Sequence, residues 1–301
     1  MKSYLRFLSR NKLYTAIEVV GLSVALAFVL LIGSYVWQEY SISHENPDYE
    51  RIYILTQYMP YGALDPLKEG IPEMEKITLV NDLEEVIMEY EDERLVTRGL
   101  AVRGDFFDIF DYEFVIGDAG CMKSHTDIIV SESYAVKLAG KPELAVGMKI
   151  VPTEYPSQAL TVTGVIKDFE HKYWKYMDFI CSGDGPLNDS AQKNPVFTLS
   201  ATTFIKAAES TDEAVLLEKI QTVFKQFWGE RMPADRTAMF ADMIGIERFD
   251  RFYFSGEEKN CVPVDRKLRD DIFGEPEWKP TSEGRVLNND YFQGDLKGIE
   301  E

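Results

Sequence analysis

The sequence predicts an α+β protein: one N-terminal transmembrane helix followed by a large mixed α/β extracytoplasmic domain. Three observations carry that prediction. Residues 19–37 run for nineteen positions without a formal charge. At ~1.5 Å of rise per residue they make roughly 28 Å of helix, close to the ~30 Å hydrocarbon core of a bilayer. Beyond Trp37, short β-branched and aromatic runs alternate with amphipathic stretches and turn residues, the pattern of a folded α+β domain.

The N-terminal segment sets the topology. A basic stretch before an apolar run also describes a signal peptide. This run exceeds the usual ~7–15 residues of a signal, and Ser34-Tyr35-Val36-Trp37 puts bulky groups where a peptidase needs small ones. An uncleaved anchor is therefore expected. Lys2, Arg6, Arg10 and Lys12 precede the span, and Arg51 is the first basic group after it. The positive-inside bias then places the N-terminus in the cytoplasm and the domain outside. Tyr35 and Trp37 stand where interfacial aromatics belong, and Glu18 can snorkel at the cytoplasmic edge. Gly21, Ser23, Ala25 and Ala27 give half of the helix a small-residue face. The expected division is a cytoplasmic amphipathic lead-in over 1–15, the helix over 16–37, a core domain over 38–254 and a poorly patterned tail over 255–301.

The chain has 301 residues, with 45% hydrophobic and 28% charged, a globular composition. Four of its 32 basic and one of its 51 acidic residues lie in residues 1–37. Residues 38–301 thus carry a net −22, within a total of −19. A domain so acidic repels phosphate backbones, which excludes nucleic acid as a partner, and its charge serves solubility. Cys121, Cys181 and Cys261 have neither CxxC nor metal-ligand spacing. Their odd number argues against a disulfide scaffold and leaves their pairing open.

Within the domain, Ile52 to Thr56 reads as a strand, Pro60 to Gly70 as a loop, and Ile77 to Val80 and Leu95 to Val102 as further strands. Phe106 to Phe114 is dense in aromatics and reads as a helical turn anchoring a core. Asp127 to Val130 is a buried-type strand running into Ser131, an N-cap, and the helix from Glu132 to Ala139 stops at Gly140. Met148 to Val151 and Leu160 to Ile166 pair as strands across a Pro152–Ser157 loop. Pro195 to Lys206 holds a β-rich run. Ser210 and Glu213 have capping-box spacing, and Leu216, Leu217, Ile220, Val223, Phe224, Phe227 and Trp228 line one helical face.

Catalytic patterns are missing. His44, His125 and His171 are isolated and read as structural or surface residues. There is no GxSxG, HExxH or GxxxxGK[ST], so no standard hydrolase elbow, zincin site or P-loop. Arg103-Gly104-Asp105 matches an adhesion tripeptide, which at three residues recurs by chance.

Several segments resemble one family in order and spacing. They are the basic opening Tyr4 to Thr15, the span start Val20 to Ala27, Asn46-Pro47-Asp48-Tyr49-Glu50-Arg51-Ile52-Tyr53, Phe106 to Phe110, Gly117-Asp118, Ile128 to Ala135, and Thr161 to Val165. Together they are similar to the N-terminal part of MacB/FtsX-like ABC-transporter permeases of Bacteroidetes type. The resemblance implies a first span, a domain of MacB periplasmic-core type, then three more spans. It also implies residence in the bacterial inner membrane, an ABC ATPase subunit and other permease subunits as partners, dimer formation, and ATP-driven movement of the outer domain. It carries no catalytic, cofactor-binding or metal residues, so no enzyme activity and no cofactor are expected. Two features depart from it. No second apolar stretch of span length follows Trp37, so a truncated permease or a single-span relative is expected. Glu170-His171-Lys172 replaces the family's proline-containing turn after Asp168-Phe169. The alternative is a single-span sensory or ligand-binding ectodomain with no transport role.

Overall fold

The computed structural model describes residues 12–44, 48–90, 93–168, 174, 177–195 and 199–254. The lead-in up to Asn11, the Asn46-Pro47 pair, the turn at Phe169 to Lys172 with His171, and the tail from Ser255 with Cys261 lie outside the described residues.

Lys12–His44 form a single helix, α1, which contains the whole apolar run. Among the described residues, eleven strands then build one sheet. They are β1 (Ile52–Leu55), β2 (Met59–Pro60), β3 (Met74–Tyr90), β4 (Glu93–Gly104), β5 (Phe114–Ile116), β6 (Asp127–Ser131), β7 (Lys149–Pro152), β8 (Leu160–Ile166), β9 (Phe179–Ser182), β10 (Leu199–Ala207) and β11 (Ile246–Arg248). The domain helices are α2 (Leu64–Gly70), α3 (Phe106–Ile109), α4 (Glu132–Ala139), α5 (Pro142–Ala145), α6 (Asp189–Lys193), α7 (Glu213–Gly229), α8 (Ala234–Asp242) and α9 (Phe249–Phe254).

The sheet runs β11-β1-β10-β3-β4-β9-β6-β8-β5. Strand β7 pairs with β8 and also with the outer half of β3. The ladder β3–β4–β9–β6–β8–β7 therefore closes on itself as a ring. Ile128, Val130, Ile150, Val162, Phe179 and Cys181 pack together in one cluster within it. Outside the ring, strands β1, β10 and the first half of β3 form an open wing. Side chains alternate across a strand, so each strand there feeds two cores. Tyr53, Leu55, Ile77, Leu79 and Ile205 pack with helices α2, α7 and α8. Ile52, Ile54, Val80 and Phe204 face the other way, into an aromatic cluster. Burial on both faces explains why β1 reads Ile-Tyr-Ile-Leu without alternation.

The aromatic segment foreseen in the sequence supplies Phe106 and Phe110 to that cluster, but only Phe106–Ile109 is helical and Phe114 opens β5. Phe106, Phe110, Trp174, Phe204 and Phe249 stack edge-on or tilted, with neighbouring ring centroids 5.1 to 6.0 Å apart. Helix α4 also forms as expected. Ser131 Oγ accepts from Tyr134 N, and Gly140 closes the helix in the left-handed region at φ 75°.

Three expectations need correction. Pro60 to Gly70 is not a loop. It holds β2, a 3-10 turn at Tyr61–Ala63 and α2, because Leu64, Leu67 and Ile71 at helical spacing all reach the core. Pro66 lies in the first turn of α2, where its missing N–H leaves no helical bond unmade. The strand at Ile77 to Val80 continues to Tyr90. A bulge between Leu83 and Val86, with Glu85 at φ 56°, shifts the side-chain phase so that Leu83, Val86 and Met88 all join the ring core. Finally, Ser210 and Glu213 make no capping box. Asp212 is the N-cap of α7, accepting from Ala214 N and Val215 N at 2.9 and 3.2 Å, while Ser210 sits at φ 61°.

Two substitutions on β10 test the two-core arrangement. Phe204→Ala should destabilise the domain by about 3–5 kcal/mol, since the ring is fully buried. The hydroxyl of neighbouring Thr203 is buried and finds no hydrogen-bond partner among the described residues. Thr203→Val should therefore be neutral or stabilising by up to about 1 kcal/mol. Urea unfolding followed by tryptophan fluorescence reads both.

Candidate functional site

No catalytic or ligand-binding residue is expected from the sequence, and the site of interest is the junction between α1 and the sheet. Among the described residues nothing covers the apolar side chains of α1 up to Trp37; Leu30 is 71% and Trp37 73% exposed. The helix is long and apolar enough to cross a membrane. The two serines of the apolar run are satisfied internally, Ser23 Oγ donating to Val19 O at 2.7 Å and Ser34 Oγ to Leu31 O at 2.9 Å. That is the arrangement a solvent without hydrogen-bond partners demands.

Beyond α1, the chain is clamped to the sheet by charge. Asp48 Oδ1 accepts from Arg51 Nη2 at 2.7 Å and from Nε at 3.2 Å. Asp48 Oδ2 takes the ammonium of Lys206, near the end of β10. Arg51 reaches onward to Glu75 on β3 at 3.2 Å and to the Ala207 carbonyl at 3.4 Å. The Lys206 and Arg51 side chains are only 17% and 23% exposed, so these pairs are screened less than surface pairs. The Lys206 bond first, and Arg51 second, hold the Asp48 carboxyl below its ordinary value, against the opposing effect of burial.

Strand β1 follows at once, and it is not an edge strand. It pairs with β10 on one side and with β11, the last strand described, on the other. Tyr53 lies opposite Arg248, whose guanidinium is held by Asp250 at 2.8 Å. Helix α9 then lies close to α1. The two ends of the domain thus meet at one rim, beside the apolar helix.

The remaining motifs resolve as structure. In Arg103-Gly104-Asp105 the arginine lies 5.0 Å over the Tyr61 ring, donates to Tyr61 O at 3.0 Å and pairs with Asp65 at 3.1 Å. The aspartate pairs with Lys68 at 2.9 Å. Between them Gly104 has φ 92°, and a Cβ there would meet Ile77 O at 2.4 Å. The tripeptide is a corner of the fold rather than a presented loop. His125 is exposed, 3.4 Å from Ser182 Oγ. Cys121 and Cys181 are free thiols, and burial pushes Cys181 up to about 12. A cleft of about 230 Å³ between the β3 bulge and the turn after β7 is lined by Asp82, Glu84, Glu85, Glu154 and Tyr155 among others. Among the described residues no group of three or more His, Cys, Asp or Glu side chains is placed to hold a metal ion.

Half of the clamp was visible in the sequence: Asp48 and Arg51 sit in the Asn46 to Tyr53 segment singled out above. Lys206 was not, because nothing local links it to a residue 158 positions away.

Comparison with known proteins agrees with the fold. The model of a family described as the MacB-like periplasmic core domain matches residues 15–223. No curated protein matches the chain. Among solved structures, a domain of a protein described as a permease from Porphyromonas gingivalis is 19% identical, with a TM-score of 0.53 over 67% of this chain and 92% of that domain. The periplasmic region of MacB from Actinobacillus actinomycetemcomitans is 10% identical, with a TM-score of 0.47 over 70% of this chain and 94% of its own. The extracellular domain of the noncanonic ABC-type transporter YknZ from Gram-positive bacteria is 15% identical, with a TM-score of 0.41 over 60% of this chain and 94% of its own.

The clamp predicts an acid-sensitive contribution with a definite sign. A carboxyl held low in the folded state stabilises above its unfolded pKa and loses that contribution as pH falls through the folded value. Asp48→Asn should lower stability by about 1 kcal/mol at neutral pH. The deficit should stay constant down to about pH 4 and shrink below it, as the native carboxyl also protonates. Urea titrations of both proteins across that range check it.

Proposed function

We propose a function from one premise: the chain belongs to the family of MacB-like periplasmic core domains. It is the periplasmic domain of a MacB-like ABC-transporter permease. In our reading α1 anchors it in the bacterial cytoplasmic membrane, with the N-terminus in the cytoplasm and the domain outside. It acts in an export assembly with a separate ABC ATPase and further permease subunits, as a dimer. Its part is mechanical and it carries out no catalytic step.

The observation that supports this reading best is the position of β1 between β10 and β11. A domain whose two ends meet at one rim next to an apolar helix can be moved as a unit from that rim. The Asp48 clamp ties the residues after α1 to an interior strand rather than to a loose edge. A displacement of the helix would then reach β10 and β3 without first being absorbed by loop motion.

Affinity purification of the full chain from bacterial membranes, after mild crosslinking, tests the proposal. Recovery of an ABC ATPase or a companion permease subunit in stoichiometric amount is expected. A chain that is always recovered alone, as a monomer, would point instead to a sensory or ligand-binding ectodomain.

A further inference from the structure

The clamp has a second side. In the ladder between β3 and β10, Lys206 lies directly opposite Lys76, while the next pair is Ala207 with Met74. Glu75 is therefore the extra residue of a bulge, and it is Glu75 that reaches Arg51. Directly paired side chains lie on the same face of a sheet, with Cβ atoms about 5 Å apart, and like charges there repel. Two lysines on one rung are unfavourable unless each is neutralised from outside the sheet. Both are. Lys76 pairs with Asp108 on α3 at 2.6 Å, and Lys206 pairs with Asp48 from the segment that follows α1. Lys206 is only 17% exposed, so water and salt compensate it poorly if Asp48 leaves.

We infer that Asp48 is a charge-held catch: while it is engaged the Lys76–Lys206 rung is neutral and the ends of β3 and β10 stay zipped, and when the segment after α1 is drawn away Lys206, left without its counter-ion opposite Lys76, parts these strands from the bulge inward. The catch converts a displacement at the rim into a change in sheet pairing. Its role as a relay rests on the coupling reading above; the electrostatics of the rung do not.

Hydrogen exchange on the full chain in detergent micelles tests the catch. Asp48→Asn should speed amide exchange in residues 74–77 and 205–207 by about tenfold or more. Asp48→Asn/Lys206→Met, which removes the repulsion together with the catch, should bring the same amides back to within about threefold of the unaltered chain. Asp65→Asn, at the Arg103 pair, should leave them unchanged. Exchange unaffected by Asp48→Asn, or a double variant as fast as the single one, would overturn the proposal. Lys206→Met alone carries the test should Asp48→Asn fail to fold. It should speed exchange at residues 51–53 and leave 74–77 protected, and faster exchange at 74–77 contradicts the catch. A chain that never binds an ATPase would give the same exchange pattern, so this inference and the export reading fail separately.

Discussion

The rest of the structure depends on β1 being an interior strand. A segment that follows a helix directly would be easiest to accommodate at the edge of a sheet. Here it is inserted between β10 and β11, and both of its faces are buried. That placement has two consequences. The strand must be apolar on both sides, which Ile52, Tyr53, Ile54 and Leu55 satisfy. The last strand described must also return beside the first, which brings α9 back near α1. The shared rim follows from that one insertion.

The cores and the rim are held by different forces. The two cores flanking the open wing, and the third within the ring, supply the hydrophobic stabilisation, since each interior strand contributes side chains to both of its faces. The rim is held by ion pairs, whose contribution is modest but whose geometry is specific. A carboxylate between two cations is either seated or not, as the proposed catch requires.

The sequence carried the parts of this account that rest on local chemistry. The apolar run, the Ser131 cap with the Gly140 stop, the β7–β8 pair and the apolar face of α7 are each written within a single short stretch of neighbouring residues. Where reading failed, the determinant was a shift of phase or a distant partner. The second half of β3 was hidden because the Glu85 bulge breaks the period of two, so Leu83 and Val86 look out of step with each other. Helix α2 was hidden by the proline at its start. The cap of α7 was misplaced because Ser210 has the right spacing, whereas Asp212 has the right backbone geometry. The closed ring was not legible, since it depends on β7 joining two strands far apart in sequence. For the same reason Lys206 gave no hint that it faces Lys76 and takes its counter-ion from Asp48.

The claim that unites these features is that the domain stands outside the membrane on a helix that crosses it. Cysteine accessibility in intact cells tests it most directly. In a chain whose Cys121, Cys181 and Cys261 are replaced by serine, a cysteine placed at Glu213, exposed at the start of α7, should be labelled by a membrane-impermeant maleimide without permeabilisation. One placed at Ser3 should be labelled only after the membrane is opened. The opposite pattern, or two sites that behave alike, would contradict the account.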